Sequence, residues 1–551
     1  MNSIDLKKEE ANRRSDLRAH YFAASKGVTV VCLFTAAWSI SLAILCLYRN
    51  RLYVYDDVFI TLRYARHLMN GLGPRWNRAG VPVEGFTSPL HMLLIAALGK
   101  TGLSLMTAAR LVGFSAHVLL VCFLFWFVGT TIQPIAGTLA AALMTSSWPI
   151  LVWDLGGLDE VLFASLLTIG ILMTLRYIDS GLLSHLLIGG GLLGLAGLTR
   201  PEASWMAAVS LAACLALGPN TIRQRFRHIL LSGCIALAIV VPWEIFRLVY
   251  FHAPLPNTYY AKVYGIPLGW RIRSGIEYWL IYARKPPYLA VIGFLVAIAV
   301  LLRRRAAPFD VGLWACILGY AVYVVTAGGD HMMAFRFMIP LLPLLAVSLV
   351  RGLVQLGFLE APLSAVIVSV LLFVFSVLQV RPTVENPIWP DSAGVIGEYV
   401  ARYINGHWPA GSWIAINTAG STAYFADEMN YIDMLGLNDR AIALRRPVPL
   451  YSDTVRRVGH MKGDGASVLS RRPDFIIASL PWGDVLHIGV PYYLTEYELV
   501  RNPEFAKLYK ACVAPLPTPA ELSNIYPEIP ARLNLTFYQR RDLQLPCTHA
   551  E

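Results

Sequence analysis

The residues best placed for chemistry are Tyr55-Asp56-Asp57-Val58, which follow a membrane-length apolar run over residues 27–48. Ionised groups at a membrane boundary are costly unless solvated or paired, so two adjacent carboxylates there invite a functional reading. A carboxylate can take the proton from an attacking hydroxyl. It can also act as a nucleophile at a sugar carbon. The structural alternative is that Asp56 or Asp57 caps the helix that follows. The two roles are compatible, with one carboxylate capping while the other reacts.

Further polar groups gather at the same end of the expected helices. They are Arg63, Arg66, His67, Glu84, Asp154, Asp159, Glu160, Arg200, Glu202, Lys262, Asp330, His331 and Arg336. Guanidinium groups at a membrane edge suit a phosphate through bidentate contacts. Snorkelling to headgroups, or pairing with Glu202 and Asp330, is the structural alternative for Arg200 and Arg336. Lys262 has the same two readings. His331 suits a base, a phosphate donor or a structural hydrogen bond. Nearby Tyr and Trp residues fit either sugar stacking or an interfacial belt.

The elements that must position these groups are mainly membrane helices. The chain has 551 residues, 56% of them hydrophobic and 15% charged. Its mean hydropathy is +0.54, too apolar for a soluble chain of this size. About eleven spans are expected: 27–48, 104–128, 133–150, 159–177, 182–198, 203–218, 228–250, 287–302, 309–326, 337–355 and 362–380. The basic N-terminal run (Lys7, Lys8, Arg13, Arg14, Arg18, Lys26) reads as cytoplasmic, before a retained first helix. The loops 176–185, 219–228 and Arg303-Arg304-Arg305 then also fall inside, and each is basic. The formal charge of +11 is read as this bias and as contact with anionic lipid, not as nucleic-acid binding.

Residues 58–70 have near-helical apolar spacing and predict an amphipathic helix on the outer membrane surface, capped by the Asp pair. Residues 88–99 predict a short helix at or dipping into the outer face. The expected organisation is a cytoplasmic N-terminus (1–26), a membrane module (27–380, first outer loop 49–103) and an extracytoplasmic α/β domain (381–551). Strand-like segments there are Trp413–Asn417, Met429–Leu437 and Asp474–Leu480.

Of eight cysteines, six lie in apolar segments and read as packing residues. Cys512 and Cys547 lie in the polar C-terminal region, where an extracytoplasmic location would allow a disulfide between them as readily as two free thiols. Gly189-Gly190-Gly191 reads as close helix packing. Asn534-Leu535-Thr536 fits a glycosylation sequon. No phosphate-loop, dinucleotide or Ser-His-Asp signature occurs. Neither metal nor cofactor is expected to be required; a divalent cation is compatible but not indicated.

Several segments together resemble a known family. They are YDDVFITLRYARHLMNGLGPRWN from Tyr55, VEGFTSPLHMLL from Val83, GLDEVLF from Gly156, LTRPEA from Leu198 and LPNTYYAK from Leu255. GGDHMMAFRFMIPLLPLL from Gly328 and YIDMLGLND from Tyr431 continue the match. The chain resembles the polytopic GT-C glycosyltransferases that use polyprenyl-phosphate sugars. Within them it is most similar to the mycobacterial terminal arabinofuranosyltransferases and their relatives in other bacteria.

The resemblance spans about residues 50–440. It implies a polytopic helical fold with the catalytic Asp in a large first outer loop and a C-terminal extracytoplasmic domain. It implies transfer of D-arabinofuranose from a polyprenyl monophosphate to an extracytoplasmic glycan, lipid or protein. On this reading Asp56 is the first catalytic candidate and Asp57 the second. Glu84 and His67 shape the sugar pocket, and Arg200, Lys262 and Arg336 hold the phosphate. Arg63, Glu160, Asp330 and His331 complete the expected substrate contacts. The expected location is the plasma membrane, with site and C-terminal domain facing out.

Two other classes compete. A lipid-sugar flippase would concentrate polar groups near mid-membrane, often with repeat symmetry; here the spans are nearly free of acids. A non-catalytic envelope receptor would place binding in residues 381–551 alone.

Overall fold

The computed structural model describes residues 29–549 except 286–288, 361, 387, 389, 447–459, 489–492, 518–521 and 523–532. The basic N-terminal run lies outside the described residues. Each of the eleven expected windows holds helix. Five helices are long and apolar enough to cross a membrane: α1 (Thr29–Arg49), α4 (Leu105–Thr131), α7 (Glu160–Ser180), α10 (Ile222–Tyr250) and α14 (Pro308–Ala327). A bent helix pair has the length and composition of either a sixth, broken span or a re-entrant loop. The helices α5 (Pro134–Thr145) and α6 (Trp148–Gly156) bend by 49° at their junction, where Pro149 opens the second helix. Shorter apolar helices fill the other windows: α8 (Leu183–Gly197), α9 (Glu202–Leu217), α13 (Leu289–Leu302) and α15 (Leu341–Gln355), with the apolar stretch Val366–Pro382 of α16 (Pro362–Glu385).

Glycine lets neighbouring helices touch. A Cβ on Gly190 would lie 2.5 Å from the Ser232 carbonyl oxygen of α10, and one on Gly189 would lie 2.2 Å from Thr174 Oγ1 of α7. The Gly189-Gly190-Gly191 run therefore packs α8 between its neighbours.

Helix α2 (Asp56–Met69) corrects an expectation. It is not a surface helix, because ten of its residues, including Asp56, Arg63 and His67, are buried. It packs between α3 (Pro89–Gly99) and the C-terminal domain. Nor does either Asp side chain cap it: the N-cap is Tyr55, without a side-chain bond, and the acids occupy the first turn. Two further helices, α11 (Asn257–Lys262) and α12 (Leu268–Ala283), connect α10 to α13.

The C-terminal domain opens with α17 (Ser392–His407), capped by Asp391, whose Oδ1 accepts the Ala393 N–H. A short helix α18 (Ser421–Phe425) follows. Its sheet has the order β2-β1-β3-β5-β4-β6. The strands β1 (Trp413–Ile416), β2 (Asn430–Asp433) and β3 (Phe475–Ile477) are parallel, with Ile414 opposite Tyr431 and Phe475. They fall within the three expected segments. The strands β4 (Tyr509–Pro515), β5 (Asn534–Arg540) and β6 (Thr548–His549) add an antiparallel half that the sequence reading lacked. Cys512 and Cys547 form a disulfide joining β4 to the C-terminal segment. The sequon residue Asn534 begins β5.

Candidate active site

A cleft of about 510 Å³ lies where α2, α9, α11 and α14 end against the C-terminal domain. Asp57, Ile60 and Thr61 of α2 line it, as do Asp159, Arg200, Glu202, Lys262, Asp330, His331 and Arg336. Leu437 of the C-terminal domain contributes to the same wall.

The helix period separates the two aspartates. Residues 57, 60 and 61 share one face, whereas 56, 63 and 67 fall on another, since neighbours differ by about 100°. Asp57 is half-buried in the cleft. Asp56 is buried outside it. Its Oδ1 accepts the Ser421 N–H at 2.7 Å and its Oδ2 the Gly420 N–H at 3.0 Å. Burial, with the nearby Asp391 carboxylate, pushes the Asp56 carboxyl up to about 8, against the pull of these two amides.

The two arginines belong to one ion-pair chain. Arg200 Nε meets Glu202 at 2.5 Å and Nη1 meets Glu160 at 3.3 Å. Arg336 meets the same Glu160 oxygen at 3.2 Å and Asp330 at 2.6 Å. Glu160 is therefore a buried bridge and not itself a wall of the cleft. Burial alone would raise Asp330, but Arg336, His331 and Lys262 hold it below the ordinary carboxylate range. His331 stands at the rim, its N–H bonded to Asp330 Oδ1 at 2.8 Å.

Lys262 ends α11, which is held by Asn257: its N–H donates to the Glu84 carbonyl at 2.9 Å and its amide to the Gly436 carbonyl at 2.8 Å. Among the described residues the Lys262 ammonium has no carboxylate partner within salt-bridge distance. Burial lowers its pKa, with Asp57 opposing. The cleft thus presents an unclaimed cation beside two anchored guanidiniums, a set suited to an anionic group.

Besides Glu160, three expected substrate contacts do not reach the cleft. Arg63 is fully buried, donating to the carbonyls of Trp76, Ala423 and Met429 and pairing with Asp427 at 3.2 Å. His67 lies between the Arg75 carbonyl and Asp427, at 2.7 and 2.8 Å. Both join α2 to the C-terminal domain through Asp427, which also binds Arg78 at 2.8 Å. Glu84 is buried against Trp243 (3.1 Å) and Arg247 (2.5 Å), while its neighbours Gly85 and Phe86 line the cleft. Asp154, expected in an outer loop, pairs with His117 at 2.7 Å inside the helices.

The sequence reading missed Asp391, Gly420 and Asp427. Asp391-Ser392 carries an N-cap signal, but Gly420 and Asp427 gave none. No group of three or more metal-ligating side chains occurs among the described residues.

A family model described as a domain of unknown function (DUF8728) matches residues 391–523. No curated protein matches the chain. Among solved structures, it is similar to ArnT from Cupriavidus metallidurans in the apo state, with TM-score 0.51 and 13% identity over 75% of this chain and 87% of that one. ArnT bound to undecaprenyl phosphate gives TM-score 0.51 and 13% identity over 93% and 99%. This likeness, with the apolar helices and the terminal sheet domain, shows a polytopic membrane protein of the GT-C fold.

Proposed function

We propose that the protein is a glycosyltransferase that moves a sugar from a polyprenyl monophosphate to a hydroxyl of an extracytoplasmic acceptor. One observation carries the reading: Asp57 shares a cleft with Lys262, Arg200 and Arg336 where the apolar helices end. The undecaprenyl phosphate bound by the similar ArnT structure supports a lipid phosphate as the anion.

In this reading the acceptor oxygen bonds to the sugar's anomeric carbon while the bond from that carbon to the phosphate oxygen breaks. The acceptor proton passes to the Asp57 carboxylate, and the cations receive the charge growing on the leaving phosphate. The aspartates exchange the order expected from sequence. Asp57 reacts, because the Asp56 oxygens are occupied by two amides. Arg63, His67 and Glu84 become supports of the site and not contacts of the sugar.

The helix directions support an outward-facing cleft. The helices α7 and α9 start at the cleft and α14 ends there, so Arg223, Arg225, Arg227 and Arg303-Arg304-Arg305 lie at the opposite ends of the helices. Those loops face the cytoplasm by the positive-inside rule, so the cleft and the sheet domain face out. The Cys512–Cys547 disulfide fits an oxidising compartment. The family resemblance favours D-arabinofuranose as the sugar.

The test offers purified protein polyprenyl-phosphate arabinofuranose, mannose, glucose and aminoarabinose in turn, with envelope extract as acceptor. The reading expects polyprenyl phosphate to be released with one of them. Vesicle transport of a lipid-linked sugar without release would replace it with the flippase reading.

A further inference from the structure

We infer that the C-terminal domain is a positioning element that sets where Asp57 stands in the cleft. The inference rests on the reading of Asp57 as the reacting carboxylate.

The entry to α2 is clasped from one side. The Asp391 N–H donates to the Val54 carbonyl at 2.9 Å, and Asp391 Oδ2 accepts the Asp56 N–H at 3.0 Å. That N–H opens a helix and has no partner within it. The Asp56 carboxylate in turn accepts the Gly420 and Ser421 N–H groups. Backbone before Asp56, its own amide and its side chain are therefore all held by residues 391–421.

Packing leaves no slack. A Cβ on Gly420 would lie 2.0 Å from the Asp56 carbonyl oxygen, and one on Gly394 would lie 3.3 Å from the Asp56 nitrogen. The Asp57 Cα is one peptide away, about 3.8 Å. Any shift of the clasp thus moves the Asp57 carboxylate relative to Arg336, which is held by Glu160 and Asp330 outside the C-terminal domain. The matched domain of unknown function begins at Asp391, so this role falls to it.

The experiment uses the full chain in lipid nanodiscs, with Gly420→Ala, Asp391→Ala, Asp391→Asn and Asp57→Asn. Three quantities are read: kcat with the donor that the wild type turns over, Kd for undecaprenyl phosphate, and the melting temperature. A misplacement near 1 Å costs about 100-fold in rate. Gly420→Ala and Asp391→Ala should therefore lose about 100-fold in kcat with Kd within about twofold. Asp391→Asn, which keeps an acceptor oxygen, should recover most of the loss.

Wild-type kcat in Gly420→Ala and Asp391→Ala, with Asp57→Asn inactive, would overturn the inference while leaving the site reading intact. A loss of kcat, affinity and melting temperature together would also overturn it, by reducing the clasp to a general fold contact. Full activity in Asp57→Asn would overturn the reading of the site and the inference with it.

Discussion

Arg336 Nη1 lies 3.2 Å from Glu160 Oε1, and that same oxygen lies 3.3 Å from Arg200 Nη1, so one buried carboxylate spaces two guanidiniums at the cleft. A pair fixed in this way meets a phosphate without first ordering its side chains. Arg336→Ala removes a charge-assisted contact of about 1.5–3 kcal/mol and should weaken undecaprenyl phosphate binding by at least about tenfold. Titration of the variant in nanodiscs reads this directly.

Lys262 gives the site a pH dependence. Burial lowers its pKa, so its charge disappears as pH rises toward that lowered value, before an exposed lysine near 10.4 would lose its own. Affinity for undecaprenyl phosphate should be highest near neutral pH and fall on the alkaline side. Lys262→Met should bind more weakly at pH 7 and lose that alkaline fall. A wild-type affinity flat to pH 10 would remove Lys262 from the phosphate site.

Asp427 binds Arg63, His67 and Arg78 at once. Burial would raise its pKa, but these partners hold the carboxyl well below the ordinary range. Its folded pKa is depressed, so its stabilisation is present above about pH 4 and is lost as pH falls further. Asp427→Ala leaves Arg63 buried without its counter-ion, at a cost of about 3–5 kcal/mol. The check is thermal unfolding from pH 2 to 7, with the gap between wild type and variant constant above about pH 5 and narrowing steadily below about pH 4.

Asp56 has the opposite sign. Its folded pKa, about 8, lies above the unfolded value, so its contribution is full below about pH 4 and is lost as pH rises toward 8. The melting temperature of the wild type relative to Asp56→Asn should decline across that window. A difference that rises with pH would show that the two amides outweigh burial.

The sequence made the helices legible because each needs a long apolar window, and β1 to β3 because short apolar runs such as Trp413–Ile416 form them. The strands β4 and β5 (YKACVAP and NLTFYQR) were hidden, since polar residues interrupt their apolar positions. The cleft cations were legible as charges at helix ends. Which of Asp56 and Asp57 lines the cleft was not, because one residue of helix phase decides it, and Asp56 is turned to Gly420 and Ser421, more than 360 residues away. Arg63, His67 and Glu84 misled for a related reason: their partners, Asp427 and Arg247, are brought to them only by the fold.

The most direct measurement compares Asp57→Asn with wild type in the release of polyprenyl phosphate from the active donor, with undecaprenyl phosphate affinity read in parallel. Asp57→Asn should abolish release while its affinity stays within about twofold. Release at the wild-type rate from Asp57→Asn would contradict the reading of Asp57 as the reacting carboxylate.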